Sequence, residues 1–190
     1  MKVKETAIKY QSPPKKFTYR DYLELPEDGK RYEVINGELI MTPAPLTIHQ
    51  QISLAISARL FNFVNETNCG IVFSAPLDIV LNEINVLQPD ILFVSNERKD
   101  IITEKNISGA PDLVIEILSP STAYYDLFDK KELYERFGVK EYWIVDPMRK
   151  WIEVYNLKNK KFRQTQKLSQ KGVLHSAVLK NFELNLQEIF

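Results

Sequence analysis

The sequence predicts an α/β (α+β) fold in which a mixed central β-sheet is flanked by helices, with β-hairpins added near the N- and C-termini. Three observations predict it. Alternating or wholly apolar runs of strand length recur along the chain. Two longer stretches, about 47–66 and 123–137, carry apolar residues at helical spacing instead. The order is helix, strands, helix, strand, which describes a layered sandwich rather than a bundle or a barrel. The 190 residues, 44% apolar and 26% charged, can bury a core of this kind.

Residues 1–16 are polar, hold Lys2, Lys4, Lys9, Lys15 and Lys16, and include Pro13-Pro14. They are expected to form a flexible N-terminal arm, either a disordered tail or a DNA-contacting segment, ahead of one domain over 17–190. Thr18 to Leu25 fits a short helix stopped before Pro26. In "RYEVINGELIM", Asn36-Gly37 between alternating runs signals a tight hairpin. A two-residue loop sets Ile35 opposite Glu38 and Glu33 opposite Ile40. Tyr32, Val34, Leu39 and Met41 then form an apolar face, and Glu33 lies on the other, mixed face. "TPAPL" is a linker. The first long helix gathers Ile48, Ile52, Ala55, Ile56, Leu60 and Phe63 on one stripe, and Gly70 follows its end. Strands are expected at 71–74, 77–81, 89–95 and 111–118. The second long helix closes at Gly138, where a left-handed residue suits the cap. "EYWIVD" is a strand ended by Pro147, with Tyr142 and Trp143 as packing or dimer contacts. "WIEVYNL" and "KFRQTQ" form a peripheral hairpin, and 172–190 supplies a strand and a helical turn.

Composition excludes some functions. Twenty-five basic side chains balance 25 acidic ones, so any nucleic-acid site must be a local patch. A single cysteine, Cys69, rules out an internal disulfide and a cysteine-zinc cluster, and suits the cytoplasm. No apolar run approaches the ~20 residues of a membrane span, and no membrane association is expected.

The chemistry centres on acids. In "PDLVIEILSPST", Glu116 shares a strand face with Val114 and Leu118. Burying an unpaired carboxylate is costly, so Glu116 needs a cation, either a metal or a basic side chain. Asp90 opens the apolar run "ILFV" 26 positions earlier. If the two strands are neighbours, both carboxylates can converge on a hard divalent cation such as Mg²⁺. On a wheel of about 100° per residue, Lys130 falls within the stripe of Leu127, Leu133, Tyr134 and Phe137. A lysine there either snorkels out or meets an acid on the sheet below.

Two acids and a lysine resemble the set of the PD-(D/E)XK nuclease superfamily, except that Leu118 stands where its lysine is expected. Asp112, after Pro111, copies the signature proline-aspartate pair but stands too close to Glu116 to be its partner. The stretch 17–190 is similar to the Uma-two branch of that superfamily. "FTYRDYLELPEDGKRYEVINGELI", "TPAPLTIHQ", "APLDIVL", "QPDILFVS", "GAPDLVIEILSPST", "KKELY" and "GVKEYWIVDP" carry the resemblance, in order and at the right spacing. In that branch the lysine has moved to the following helix, four residues before a tyrosine. The resemblance implies a restriction-endonuclease-like core, Asp90 and Glu116 as metal ligands, Lys130 as catalytic lysine and Glu33 as an additional acid. It also implies Mg²⁺, for which Mn²⁺ substitutes, and DNA as substrate, cut by a homodimer.

Other residues keep two readings each. His49 is a structural helix residue or a cleft residue. Asp78 faces the site or caps a turn. Ser119 caps the helix or binds a phosphate. Asp126 is a helix N-terminal acid favoured by the dipole. A serine-hydrolase reading of Ser119 lacks the flanking glycines of a nucleophile elbow. The functional expectation is a Mg²⁺-dependent endonuclease. The alternatives are a catalytically inactive nuclease-fold DNA-binding or interaction module, and a hydrolase of smaller phosphate esters.

Overall fold

Apolar alternation and turn chemistry pair the strands into two main layers. The structure, a computed structural model, describes residues 15–190. The arm expected over 1–16 lies outside the described residues, Lys15 and Lys16 excepted. Helix α1 (Tyr19–Leu23) starts on a capping box between Thr18 and Asp21. Strands β1 (Arg31–Ile35) and β2 (Glu38–Thr42) form the expected hairpin, with Ile35 opposite Glu38 and Glu33 opposite Ile40. Asn36 and Gly37 both adopt positive φ, as a tight turn of this hand requires.

Helix α2 (Thr47–Thr67) presents Ile52, Ile56, Leu60 and Val64 inward and ends at left-handed Asn68. Next come β3 (Gly70–Ser74), β4 (Ile79–Asn82), β5 (Asn85–Leu87), β6 (Ile91–Ser95), β7 (Ile107–Ser108) and β8 (Leu113–Ile117). After α3 (Ala123–Leu127) and α4 (Asp129–Phe137) follow β9 (Glu141–Asp146), β10 (Trp151–Lys158), β11 (Lys161–Ser169), β12 (Val173–His175) and β13 (Glu183–Asn185).

The six-stranded sheet runs β11-β10-β9-β8-β6-β3, with β8 and β9 parallel and the remaining neighbours antiparallel. One face packs on α2 and the C-terminal segment through Ile115, Ile117, Trp143 and Val145. The other packs on α4 and the five-stranded sheet β2-β1-β5-β4-β7 through Val114, Leu118, Tyr142 and Ile144. Burying each large aliphatic side chain of these layers contributes roughly 1.5–3 kcal/mol. Tyr142 and Trp143 are fully buried, which makes both packing residues.

Four local expectations are corrected. The second long helix is broken at Phe128 (φ −123°, ψ −73°) into α3 and α4. No glycine or proline causes the break. Phe128 is exposed and packs on Tyr124 of its own helix. Strands β5 and β7 were not expected; β5 is only three residues long and begins with buried Asn85. The β10–β11 hairpin is not wholly peripheral, because β10 sits inside the sheet with Ile152 and Val154 fully buried. In the first hairpin, Leu39 and Met41 are exposed, whereas the mixed face turns inward through Ile35 and Ile40. The inward acid on that face, Glu33, has found a cation.

Candidate active site

Strand alternation places Glu116 on the face of Val114 and Leu118, and it is 2% exposed. Ile91 pairs with Ile115 in antiparallel register, so Asp90, one residue before β6, falls across from Glu116. Asp90 Oδ2 accepts the amide of Ile117 at 2.8 Å and lies 3.2 Å from His49 Nε2. Its Oδ1 faces Arg31 at 4.0 Å. The two acids thus come from two of the expected strands, which are neighbours, and stand at one end of the sheet.

Lys130 enters from the first turn of α4 and is as buried as the acids, at 4% exposure. Its Nζ lies 2.9 Å from Glu33 Oε1, 3.2 Å from Glu116 Oε1 and 3.1 Å from Asp126 Oδ1. Tyr134, one turn later, donates its hydroxyl to the same Glu116 oxygen at 2.8 Å. The lysine therefore meets acids rather than snorkelling. Glu33 is fixed in turn by the amide of Gln88, at 2.7 Å.

Negative charge exceeds positive in this enclosed space. Glu33, Asp90, Glu116 and Asp126 face Lys130 and the half-buried Arg31, which leaves two carboxylates without a base. Burial pushes the Glu116 carboxyl well above the usual range; Lys130 opposes this, and the neighbouring acids Asp126, Asp90 and Glu33 reinforce it. Burial also raises Asp126, to about 6, against the pull of Lys130. For Lys130, burial disfavours the charge, but Glu116, Glu33 and Asp126 outweigh it and hold the ammonium well above its ordinary pKa. The lysine is a fixed cation, and the acids compete for it.

Above these groups opens a cleft of about 270 Å³, walled by the linker Thr42–Leu46 and by Ser119–Thr122. His49 is at the site: it lies on the inward stripe of α2, three residues before Ile52, and reaches Asp90. Ser119 lines the cleft, and its hydroxyl bonds to Ser121 and Thr122. Asp78 lies outside the cleft wall. It accepts from Tyr22 and Gln88, so it anchors the strand end that fixes Glu33. Asp112 lies apart, bound to the Ser95 amide, Lys140 and Arg98, which is a structural role.

Asp126, Arg31 and Gln88 join the site without having been singled out for it. Asp126 had a signal, because it precedes Lys130 by four residues and could share its face. Arg31 and Gln88 had none beyond their nearness to Glu33 and Asp90.

The donor set fits a divalent cation. Glu116 accepts both of its bonds on Oε1 and Asp90 accepts both of its bonds on Oδ2. Glu116 Oε2 has no protein donor among the described residues, and Asp90 Oδ1 has only the distant Arg31. Two hard oxygens, in a site where four acids face two bases, suit Mg²⁺ chemistry. Among the described residues, no three acidic, histidine or cysteine side chains are already arranged to hold a metal ion; three of the carboxylates gather on Lys130 instead.

Comparison with known proteins bears on the family and the fold. Residues 19–187 match the Uma2 family model, described as "Putative restriction endonuclease". The chain is 26% identical over 147 residues to an uncharacterised protein of Synechocystis sp., a match covering 76% of each. Its fold is similar to that of a crystal structure titled as a putative nuclease belonging to DUF820 from Anabaena variabilis. That match has a TM-score of 0.77 at 21% identity and covers 92% of this chain and 97% of the other.

Proposed function

The chain belongs to the Uma2 family, and on that premise we propose that it is a Mg²⁺-dependent endonuclease that hydrolyses DNA phosphodiester bonds. The observation that carries this reading is the enclosed excess of carboxylates around one lysine at the floor of a cleft. Asp90 and Glu116 would hold the metal through the oxygens that lack protein donors. The bound ion would lower the pKa of a water molecule and offset charge on the scissile phosphate.

The protein's own groups do the rest. Lys130, kept charged by its acids, offsets negative charge on the phosphate, and by exchanging one of its three carboxylate partners it donates a hydrogen bond to the attacking water or to a phosphate oxygen. Tyr134 fixes the Glu116 carboxylate from the side away from the metal oxygen. Glu33 and Asp126 hold the Lys130 ammonium in register with Glu116. His49 and the Ile117 amide orient Asp90. A homodimer would bring two such sites to the two strands of a duplex, and twofold dimers are the commonest oligomers.

Plasmid relaxation tests this reading. Wild-type protein with Mg²⁺ or Mn²⁺ nicks supercoiled plasmid, whereas Glu116→Gln and Lys130→Ala, checked for folding by thermal melting, do not. Equal cleavage by all three samples would assign the activity to a contaminant. A second reading, a catalytically inactive DNA-binding or interaction module, is favoured by the formal net charge of zero, since phosphate contacts normally dominate nucleic-acid affinity. Tight DNA binding by wild type with no cleavage under any divalent ion would select it.

A further inference from the structure

Asp90 stands between two cavities. Besides the cleft, a groove of about 390 Å³ runs between α2 and the turn at Ser74–Pro76. The two cavities share Arg31, Pro45, His49 and Asp90 as lining residues. Beyond that shared rim the groove is walled by Gln50, Ser53, Leu54, Ser57, Ser74 and Pro76. Asp90 is thus its only acid, and Arg31 its only permanently charged base.

Its chemistry is that of neutral donors around one cation. From Thr47 to Ala58, α2 carries no Asp, Glu, Lys or Arg, in a chain that is 26% charged. Arg31 is held rigidly: its Nε and Nη2 bond to the side chain and carbonyl of Gln88 at 3.3 and 3.1 Å. That leaves Nη1 directed to the rim, 4.0 Å from Asp90. Two polar atoms of the wall are enclosed without a partner among the described residues, Ser57 Oγ and Nδ1 of His49, which is 6% exposed. Buried polar atoms are normally paired, and the Ser57 hydroxyl, a donor, marks a place where a ligand rich in acceptor oxygens completes the protein.

We infer that this groove is a second phosphate subsite, which takes the nucleic-acid backbone on the far side of Asp90 from the cleft, with Arg31 as its anchoring cation. The inference rests on the nuclease reading in that the two cavities then form one track for a single strand, and the phosphate held at Arg31 neighbours the scissile one. Neutral hydroxyls and amides suit such a track, because they bond to phosphate oxygens without reading sequence.

The test separates the subsite from the chemistry. Binding of a fluorescein-labelled DNA oligonucleotide is followed by anisotropy in Ca²⁺. Hydrolysis of bis(p-nitrophenyl) phosphate, which has no flanking phosphate, is followed in Mn²⁺. Ser53→Glu and Leu54→Glu are expected to weaken DNA binding about tenfold by charge repulsion while leaving ester hydrolysis at the wild-type level. Neutral Ser53→Gln retains binding. Arg31→Gln lowers the slope of log affinity against log salt by about one. Unchanged binding by both glutamate variants, an unchanged salt slope for Arg31→Gln, or no DNA binding by wild type overturns the subsite. Wild type that binds DNA through the groove but hydrolyses neither substrate leaves the subsite standing and removes the nuclease reading.

Discussion

Lys130 is held by more negative charge than it can neutralise, and that imbalance is the most informative property of the site. A buried ion pair of matched charge is commonplace and contributes little net stability. Here three acids lie within 3.2 Å of one ammonium, and a fourth, Asp90, stands across from Glu116. Asp126 is shifted first by its burial and then by the neighbouring Glu33 and Asp90. Its carboxyl is raised from 3.8 to about 6 despite contact with Lys130. A raised acid binds protons better in the folded state, so its contribution is largest below its unfolded pKa and is lost as pH rises through about 6. Asp126→Asn removes that loss. In metal-free buffer, urea melts are expected to show the variant gaining on wild type between pH 5 and pH 7.5, and a variant that loses stability over this range would contradict the assigned charge balance. Glu116 and Lys130 were legible in the sequence because each is an anomaly in its own pattern: an acid inside an apolar strand face, and a lysine inside an apolar helical stripe. Asp126 was less so, because an acid in the first turn of a helix is ordinary and only its spacing of four from Lys130 set it apart.

Each element delivers its site residue by a local rule. The Asn36–Gly37 turn fixes the register that points Glu33 inward. Gly37 has φ of +86°, and a Cβ there would stand 2.7 Å from the Lys16 side chain. Gly37→Ala should cost about 1–2 kcal/mol from the left-handed backbone alone. Equilibrium unfolding measures it, and a loss below about 0.3 kcal/mol would mean that the turn relaxes without strain. The hairpin register was fully legible, since alternation and a two-residue turn leave one pairing. The break at Phe128 was not. Helical periodicity continues across it in sequence, and neither glycine nor proline marks it. The break still leaves Asp126 and Lys130 in contact, at 3.1 Å. Strand β5 escaped notice because three residues are too few to display a period, and Asn85 interrupts them. Asn85 is buried because it accepts the amide of Asn36 at 2.8 Å, which ties β5 to the same hairpin turn.

At the scale of the molecule, the site is assembled where two sheets, α2 and the α3–α4 pair approach one another. Glu33 comes from β1, His49 from α2, Asp90 from the entry to β6, Glu116 from β8 and Lys130 from α4. The layered order of elements could be read from periodicity, whereas the adjacency of the strands bearing Asp90 and Glu116 entered only as a condition, which the β6–β8 pairing meets. The division into a six-stranded and a five-stranded sheet could not, because pairing between distant short strands leaves no local pattern. The second cavity beside α2 was equally hidden, since its walls beyond the shared rim are three ordinary serines, a glutamine and small or apolar residues brought together by the fold. Among the described residues, no helix is long and apolar enough to cross a membrane. Uptake of a divalent cation by the enclosed acids is what separates a metal-dependent site from a buried ion-pair cluster. Isothermal titration of Mn²⁺ into the wild-type protein measures this most directly. Saturable binding that disappears in the Asp90→Asn, Glu116→Gln double variant is the predicted result. No binding to wild type, or the same binding to the double variant, would contradict it.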